Sequence, residues 1–163
     1  MRRVQHMIGM MAVLLLAVGV AQAQPQLAGT WVLDPAQSQF PSHDRKGHGG
    51  PDAQAQPPDV KLVVEQQGNM VKATRTVAQG NRQRSVTETY VADGAEQAQP
   101  GHRGSVVIRA AFDGDRLVVK ETQATMSRES IWTLSPDGKV LTIDTTLQTP
   151  RGVRNIKSVY LRT

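Results

Sequence analysis

Three arginines of the sequence alternate with apolar or aromatic residues, so that each shares one face of an extended segment with them. They are Arg75, Arg128 and Arg154, and the aromatic residues on the last two faces are Trp132 and Tyr160. Because side chains alternate between the two faces of a strand, these arginines are expected to point inward. A buried guanidinium needs a hydrogen-bonding partner, and a carboxylate or phosphate suits its fork of donors. These five residues therefore predict a cavity for a small amphipathic anion, its head near Arg128 and Arg154.

A second interpretation of the same arginines requires no ligand. They would then face solvent or pair with acidic residues of the chain itself, of which Glu88, Glu121 and Glu129 are the candidates. The two interpretations differ in the partner of each guanidinium. The positions of the acidic side chains in the structure therefore distinguish them.

Other chemistry has little support. The chain has no cysteine, which excludes a disulfide scaffold, a thiolate metal site and a cysteine nucleophile. His43, His48 and His102 lie in connectors rich in glycine and proline, where solvated loop residues are expected rather than metal ligands. G-x-S-x-G, H-E-x-x-H and glycine-rich phosphate-loop motifs are missing from the sequence. We therefore expect no enzyme, metal or cofactor.

The first 23 residues have the layout of a cleavable secretory signal. A short basic start precedes an apolar run over residues 7–20, and Ala21 and Ala23 supply small residues for cleavage after Ala23. The run is shorter than the ~20 residues needed to span a bilayer, and the lack of cysteine argues against a lipoprotein. The expected product is a periplasmic or secreted bacterial protein with no membrane span.

The net charge of the chain argues against a nucleic-acid-binding function. The chain of 163 residues carries 19 basic and 14 acidic residues, a formal net charge of +5. Without Arg2 and Arg3 of the expected signal, 17 basic residues face 14 acidic ones and the net charge is +3. The basic residues are scattered, without the stripe or aromatic platform that nucleic-acid binding needs. No nucleic-acid partner is predicted, and a protein partner is unknown.

The remainder of the chain is expected to form one all-β domain. Residues 24–27 are a leader, and residues 28–163 are a single domain of ordinary size. Residues 35–59 contain five prolines and no apolar periodicity, which predicts a long mobile loop. Strands rich in valine, threonine and isoleucine, separated by glycine and aspartate turns, are predicted at 28–34, 60–66, 70–78, 83–91, 104–112, 116–124, 128–135, 139–147 and 153–162.

A meander of eight strands plus an N-terminal strand tends to curl into a closed or nearly closed barrel, because closure hides its edges. Nine strictly alternating strands would leave the first and last strands parallel. A loop over 35–59 has the reach to run the length of the barrel, so we expect these two strands to pair antiparallel, with Trp31 near Arg162. The same count predicts the turns 79–82, 113–115 and 136–138 at the Trp31 end and the link 67–69 at the other.

The residues Gly29-Thr30-Trp31 ahead of an antiparallel meander resemble the start of calycin-superfamily proteins, the lipocalin-like barrels. The resemblance implies that Gly29 and Trp31 close one end of the barrel and that Arg162, from the last strand, packs over the tryptophan. The chain is also similar to uncharacterised bacterial exported proteins with a GTW start and a W-x-L-S-P-D-G hairpin, here starting at Trp132. The implied function is carriage of a small, partly apolar ligand. The alternative is an envelope protein-interaction or structural module with a filled barrel.

Overall fold

A computed structural model describes residues 24–39, 59–101 and 104–163. The predicted signal sequence, most of the predicted 35–59 loop, and His43, His48 and His102 lie outside the described residues. In the described part of the chain, no helix has the length and apolar character required to cross a membrane.

Within the described residues, ten antiparallel strands form a single sheet. They are β1 (Gly29–Leu33), β2 (Asp59–Gln67), β3 (Met70–Gln79), β4 (Arg82–Val91), β5 (Asp93–Gly101), β6 (Gly104–Asp113), β7 (Arg116–Gln123), β8 (Met126–Leu134), β9 (Val140–Thr149) and β10 (Gly152–Arg162). The order across the sheet is β4-β3-β2-β1-β10-β9-β8-β7-β6-β5. The two edge strands, β4 and β5, do not pair with each other. The barrel is therefore nearly, but not fully, closed. The predicted all-β, up-and-down meander is confirmed.

Alternation and turn chemistry explain why these segments form strands. In β2 the residues Val60, Leu62 and Val64 are buried, whereas Lys61 and Glu65 on the other face are exposed. This period of two gives the strand one apolar face and one solvated face. The tight hairpins place glycine where the backbone needs a positive φ, as at the turn between β6 and β7, where Gly114 has φ 62°.

The strand count differs from the sequence prediction because β5 was expected to be a linker. It contains Gly94 and Pro100, is mostly exposed, and departs from regular pairing between Asp93 and Glu96. An edge strand pairs on one side only, so it tolerates proline and needs no apolar alternation. Regular apolar alternation is the signal from which the other strands were predicted, and β5 lacks it.

The tenth strand also changes how the barrel closes. With ten alternating strands, β1 is antiparallel to both of its neighbours, and Trp31 lies opposite Arg162 on β10 and Leu62 on β2. The predicted antiparallel pairing of first and last strands is confirmed, but a connection running the length of the barrel is not needed for it.

The turn positions follow the corrected count. The turns at 113–115 and 136–138 lie at the Trp31 end, as predicted. The prediction was wrong for the other two, since the link 67–69 lies at the Trp31 end and the turn 79–82 at the opposite end.

The hydrophobic core occupies the Trp31 end. Trp31 is fully buried, and large side chains from strands all around the barrel surround it, namely Leu27, Leu62, Val71, Leu117, Leu141 and Tyr160. Packing at this end therefore leaves the unfilled part of the interior toward the opposite end.

Candidate ligand-binding site

A cavity of about 440 Å3 lies inside the barrel between the core and the end opposite Trp31. Its wall is mixed in polarity. Apolar side chains come from Val106, Met126, Trp132, Ile143, Leu147 and Ile156, and the polar ones include Arg75, Glu88, Tyr90, Glu121, Arg128, Ser130, Thr145 and Ser158. Strands β3, β4 and β6 to β10 all contribute inward-facing residues, so the site depends on closure of the sheet.

Arg128 is the centre of an ionic network on the cavity wall. It lies directly opposite Glu121 in the pairing of β7 with β8. Its Nε donates to Glu121 Oε2 at 2.8 Å, and its Nη2 donates to Glu121 Oε1 at 2.6 Å. The same Nη2 donates to Glu88 Oε1 at 2.9 Å, from a strand on the other side of the gap between β4 and β5.

Glu88 has a second partner on its own strand. The hydroxyl of Tyr90 donates to Glu88 Oε2 at 2.7 Å. Residues two apart on a strand share a face, which places both side chains inside the barrel. All four carboxylate oxygens of Glu88 and Glu121 are therefore hydrogen-bonded within the chain.

The protonation of this network follows from its geometry. Burial alone would raise the pKa of Glu88, but the charge of Arg128 and the hydrogen bonds from Tyr90 and Arg128 outweigh burial and hold that pKa below its ordinary value. Burial likewise opposes the charge on Arg128, yet its bonds to Glu121 and the negative charges of both glutamates raise the pKa of the guanidinium. Burial and the neighbouring Glu88 raise the pKa of Tyr90. These shifts favour an ionised Glu88, a charged Arg128 and a neutral Tyr90 phenol.

These contacts favour the ligand-free interpretation of Arg128, in which it pairs with Glu88 and Glu121. Glu129, the third acidic candidate, does not join them, because it pairs with Lys120 at 3.2 Å on an exposed face. Arg154 is exposed at the open end of β10 and is not part of the cavity wall. Arg128 and Arg154 both lie opposite Leu147, one on each side of β9, but only Arg128 lines the cavity.

Arg75 differs from Arg128 in its surroundings. It lines the cavity from β3, and its Nε is buried with no hydrogen-bond partner among the described residues. Burial raises the pKa of the Tyr160 hydroxyl, and the nearby charge of Arg75 acts against that rise. The charge of Arg75 also helps to lower the pKa of Glu88, so this arginine lies close to the network around Arg128.

The two predicted aromatic residues have different positions. Trp132 lines the cavity and packs edge to face against Tyr90, with ring centroids 6.2 Å apart and planes at 77°. Tyr160 is buried in the core and is not among the residues lining the cavity. A ligand would therefore contact Trp132 directly, while Tyr160 lies beneath it.

The three residues expected to close the barrel lie together at the Trp31 end. The guanidinium carbon of Arg162 is 4.3 Å from the centroid of the Trp31 ring. Arg162 also donates to the carbonyls of Gly138 and Ala28 at 2.7 and 3.0 Å. Gly29 leaves room for this arginine, since a Cβ at that position would lie 2.9 Å from Arg162 Nη1.

Sequence reasoning missed two polar features of the wall. Tyr90 was not singled out, although it shares an alternating face with Glu88. Ser130 on β8 and Thr145 on β9 were also missed; their hydroxyl oxygens lie 3.0 Å apart. Across the ranges that the structure covers, no group of three or more His, Cys, Asp or Glu side chains is arranged to hold a metal ion.

No family model and no curated protein matches the chain. Several solved structures do match. A REP1-NXSQ fatty acid transporter aligns with a TM-score of 0.58 and 11% identity, over 84% of this chain and 96% of that one. Human cRBP IV aligns with a TM-score of 0.58 and 17% identity, over 84% and 98% of the two chains. The zebrafish ileal bile acid-binding protein, solved with cholic acid, aligns with a TM-score of 0.56 and 17% identity over the same shares.

These likenesses establish the fold. The chain shares with these proteins a nearly closed, lipocalin-like antiparallel barrel, as the meander predicted.

Proposed function

We propose that this chain binds a small, partly apolar molecule inside its barrel and that it works as an exported protein. The observation that carries the proposal is the internal cavity of about 440 Å3, which falls within the range of roughly 300–1,000 Å3 typical of small-molecule sites. Its wall combines apolar side chains with a few polar groups, which suits an amphipathic ligand. Solved proteins of the same fold include a fatty acid transporter and a bile acid-binding protein.

The alternative, an envelope interaction module with a filled barrel, has less support. Such a module would fill its interior with its own side chains, whereas the space beyond Trp132 and Ile143 is open. The fatty acid transporter and the bile acid-binding protein that share its fold are named for transport and binding, so the proposal includes no catalytic step.

The export part of the proposal rests on the layout of residues 1–23. It is tested by expressing the full chain in a bacterium and measuring the mass of the protein in the periplasmic and extracellular fractions. Export predicts a product that begins at Gln24. A full-length product confined to the cytoplasm would contradict it.

The binding part is tested by native mass spectrometry of protein purified from its own compartment. We expect a co-purified small molecule, released on denaturation. Ile156→Trp should lose it, because the larger ring enters the cavity that Ile156 lines. Val153→Trp on the same strand is the control, since Val153 is exposed and outside the cavity wall.

The proposal fails if two results occur together. The first is that no bound mass appears in the wild-type protein. The second is that no fatty acid, bile acid or neutral amphiphile raises the midpoint of its thermal unfolding.

A further inference from the structure

We propose that the paired hydroxyls of Ser130 and Thr145 form a polar subsite partway down the cavity, and that the cavity therefore selects an amphiphile with a hydroxyl along its apolar body. This inference rests on the proposed function, because it assumes that the cavity binds a partly apolar molecule. It concerns the body of the ligand rather than its head group.

The register of β8 with β9 fixes the depth of the pair. Three successive pairs of cavity-lining residues lead from the open end toward the core, namely Arg128 and Leu147, Ser130 and Thr145, and Trp132 and Ile143. Successive pairs are about 6.6 Å apart, because each lies two residues further along the strand. The hydroxyls therefore lie below the ionic network and above the Trp132 indole, at a depth that the body of a bound amphiphile would reach.

The side chains beside the pair are apolar. Val119 on β7 lies opposite Ser130, and Ile156 on β10 lies opposite Thr145. Ser130 itself is only 8% exposed. On these four neighbouring strands, the two hydroxyls are thus the only polar groups that the side chains present at this depth.

The hydrogen-bonding capacity of the two hydroxyls exceeds what they can satisfy in each other. Their oxygens lie 3.0 Å apart, so one hydroxyl donates to the other. The second hydroxyl keeps an O–H donor and both oxygens keep at least one lone pair, because a hydroxyl has one donor and two acceptor sites. Enclosing such groups against hydrocarbon without a partner is unfavourable. Water or a polar group of the ligand must therefore meet them.

A hydroxyl on the ligand matches these sites better than a carboxylate or a methylene. It can accept from the free O–H and donate to a lone pair, whereas an ionised carboxylate only accepts and would lose its hydration in apolar surroundings. A methylene would displace water from the pair without replacing the hydrogen bonds of that water, which lowers affinity. The pair therefore discriminates between hydroxylated and plain chains.

The test measures the affinities of decanoate and of its 3-, 6- and 10-hydroxy derivatives by isothermal titration calorimetry. Because the subsite has a fixed depth, either the 3- or the 6-hydroxy isomer should bind about fivefold more tightly than decanoate, the gain expected from one net hydrogen bond. The 10-hydroxy isomer should bind more weakly than decanoate, since its hydroxyl lies at the tip of the chain, beyond the pair and against apolar side chains.

Ser130→Ala combined with Thr145→Val removes both hydroxyls and should abolish the gain while decanoate still binds. Thr133→Ala combined with Thr142→Val is the matched control, because these residues lie opposite each other on the same two strands but outside the cavity wall. The control should keep the full gain. Thermal unfolding establishes that each variant is folded, and the ratio of two affinities within one variant does not report a purely structural effect of the substitution.

The outcomes separate the two proposals. If decanoate binds but no hydroxy isomer exceeds it, if all three isomers gain equally, or if Ser130→Ala with Thr145→Val retains the gain, the two hydroxyls form no such subsite and the binding function stands. If none of these probes nor any other amphiphile binds, the proposed function fails and this inference fails with it.

Discussion

Arg128 on β8 donates a hydrogen bond to Glu88 on β4, with 2.9 Å between Nη2 and Oε1. The two strands are far apart in the order of the sheet, and β4 is one of its unpaired edges. The contact therefore spans the side of the barrel where hydrogen bonding between strands is interrupted. Together with the bonds from Arg128 to Glu121 on β7, it links β4 to the wall formed by β7 and β8.

Arg128→Met is expected to destabilise the protein by about 1–3 kcal/mol. The substitution removes the guanidinium that Glu88 and Glu121 share and leaves their oxygens without its hydrogen bonds. The loss is smaller than for a fully buried pair because these three side chains are 15–37% exposed. Urea unfolding followed by circular dichroism measures it. Lys120→Met is the control, since Lys120 pairs with Glu129 on an exposed face, and equal losses in both variants would contradict the assigned role of the network.

The pH dependence of the free energy of unfolding should reflect the ionisation of Glu88. Its pKa in the folded protein lies below the ordinary value of 4.5 because Arg128 outweighs the effect of burial. A carboxyl with a depressed folded-state pKa contributes stability above its unfolded-state pKa and loses it as the pH falls through the folded-state value. We therefore expect the free energy of unfolding to fall below about pH 4.5.

Glu88→Gln isolates this contribution, since the exposed Asp34 and Asp137 also have lowered pKa values and remain in the variant. The difference in unfolding free energy between wild type and Glu88→Gln should shrink between pH 6 and pH 3. Parallel curves over that range would show that Glu88 is not coupled to folding.

Gly29→Ala is expected to cost about 1–3 kcal/mol. Gly29 has a φ of 153°, and a Cβ there would lie 2.9 Å from Arg162 Nη1. The guanidinium would have to shift, which weakens its cation–π contact with Trp31 and its bonds to Gly138 and Ala28.

Thermal unfolding measures this cost, and a double-mutant cycle with Arg162→Met tests its cause. If displacement of the arginine is responsible, the combined loss is smaller than the sum of the two single losses. Additive losses would mean that backbone strain at Gly29 acts alone.

Arg154→Met should leave the affinity for decanoate within about twofold of wild type, a difference of less than half a kcal/mol. Arg154 is exposed at the open end of β10 and does not line the cavity, so we expect its guanidinium to contribute little to binding inside the barrel. Isothermal titration calorimetry measures the difference. A tenfold loss with Arg154→Met would restore the original expectation that it holds the head group.

Much of the fold could be predicted because its causes are local. Alternating apolar residues and glycine or aspartate turns specify most of the strands, and the resemblance of Gly29 and Trp31 to a known barrel start led to the partnership with Arg162. Strand β5 was missed because an edge strand lacks that alternation. Its omission changed the strand count, which misplaced the turns at 67–69 and 79–82.

The sequence by itself thus determined an antiparallel barrel with three arginines on inward faces, because the face of a strand follows from a period of two residues. Only the tertiary structure decided which arginine is available to a ligand. Arg128 pairs with Glu88, which lies 40 residues earlier in the chain. The two side chains meet across the interior only once the sheet has curled. Arg75 has an equivalent alternation in sequence, but the structure leaves its buried Nε without a hydrogen-bond partner among the described residues.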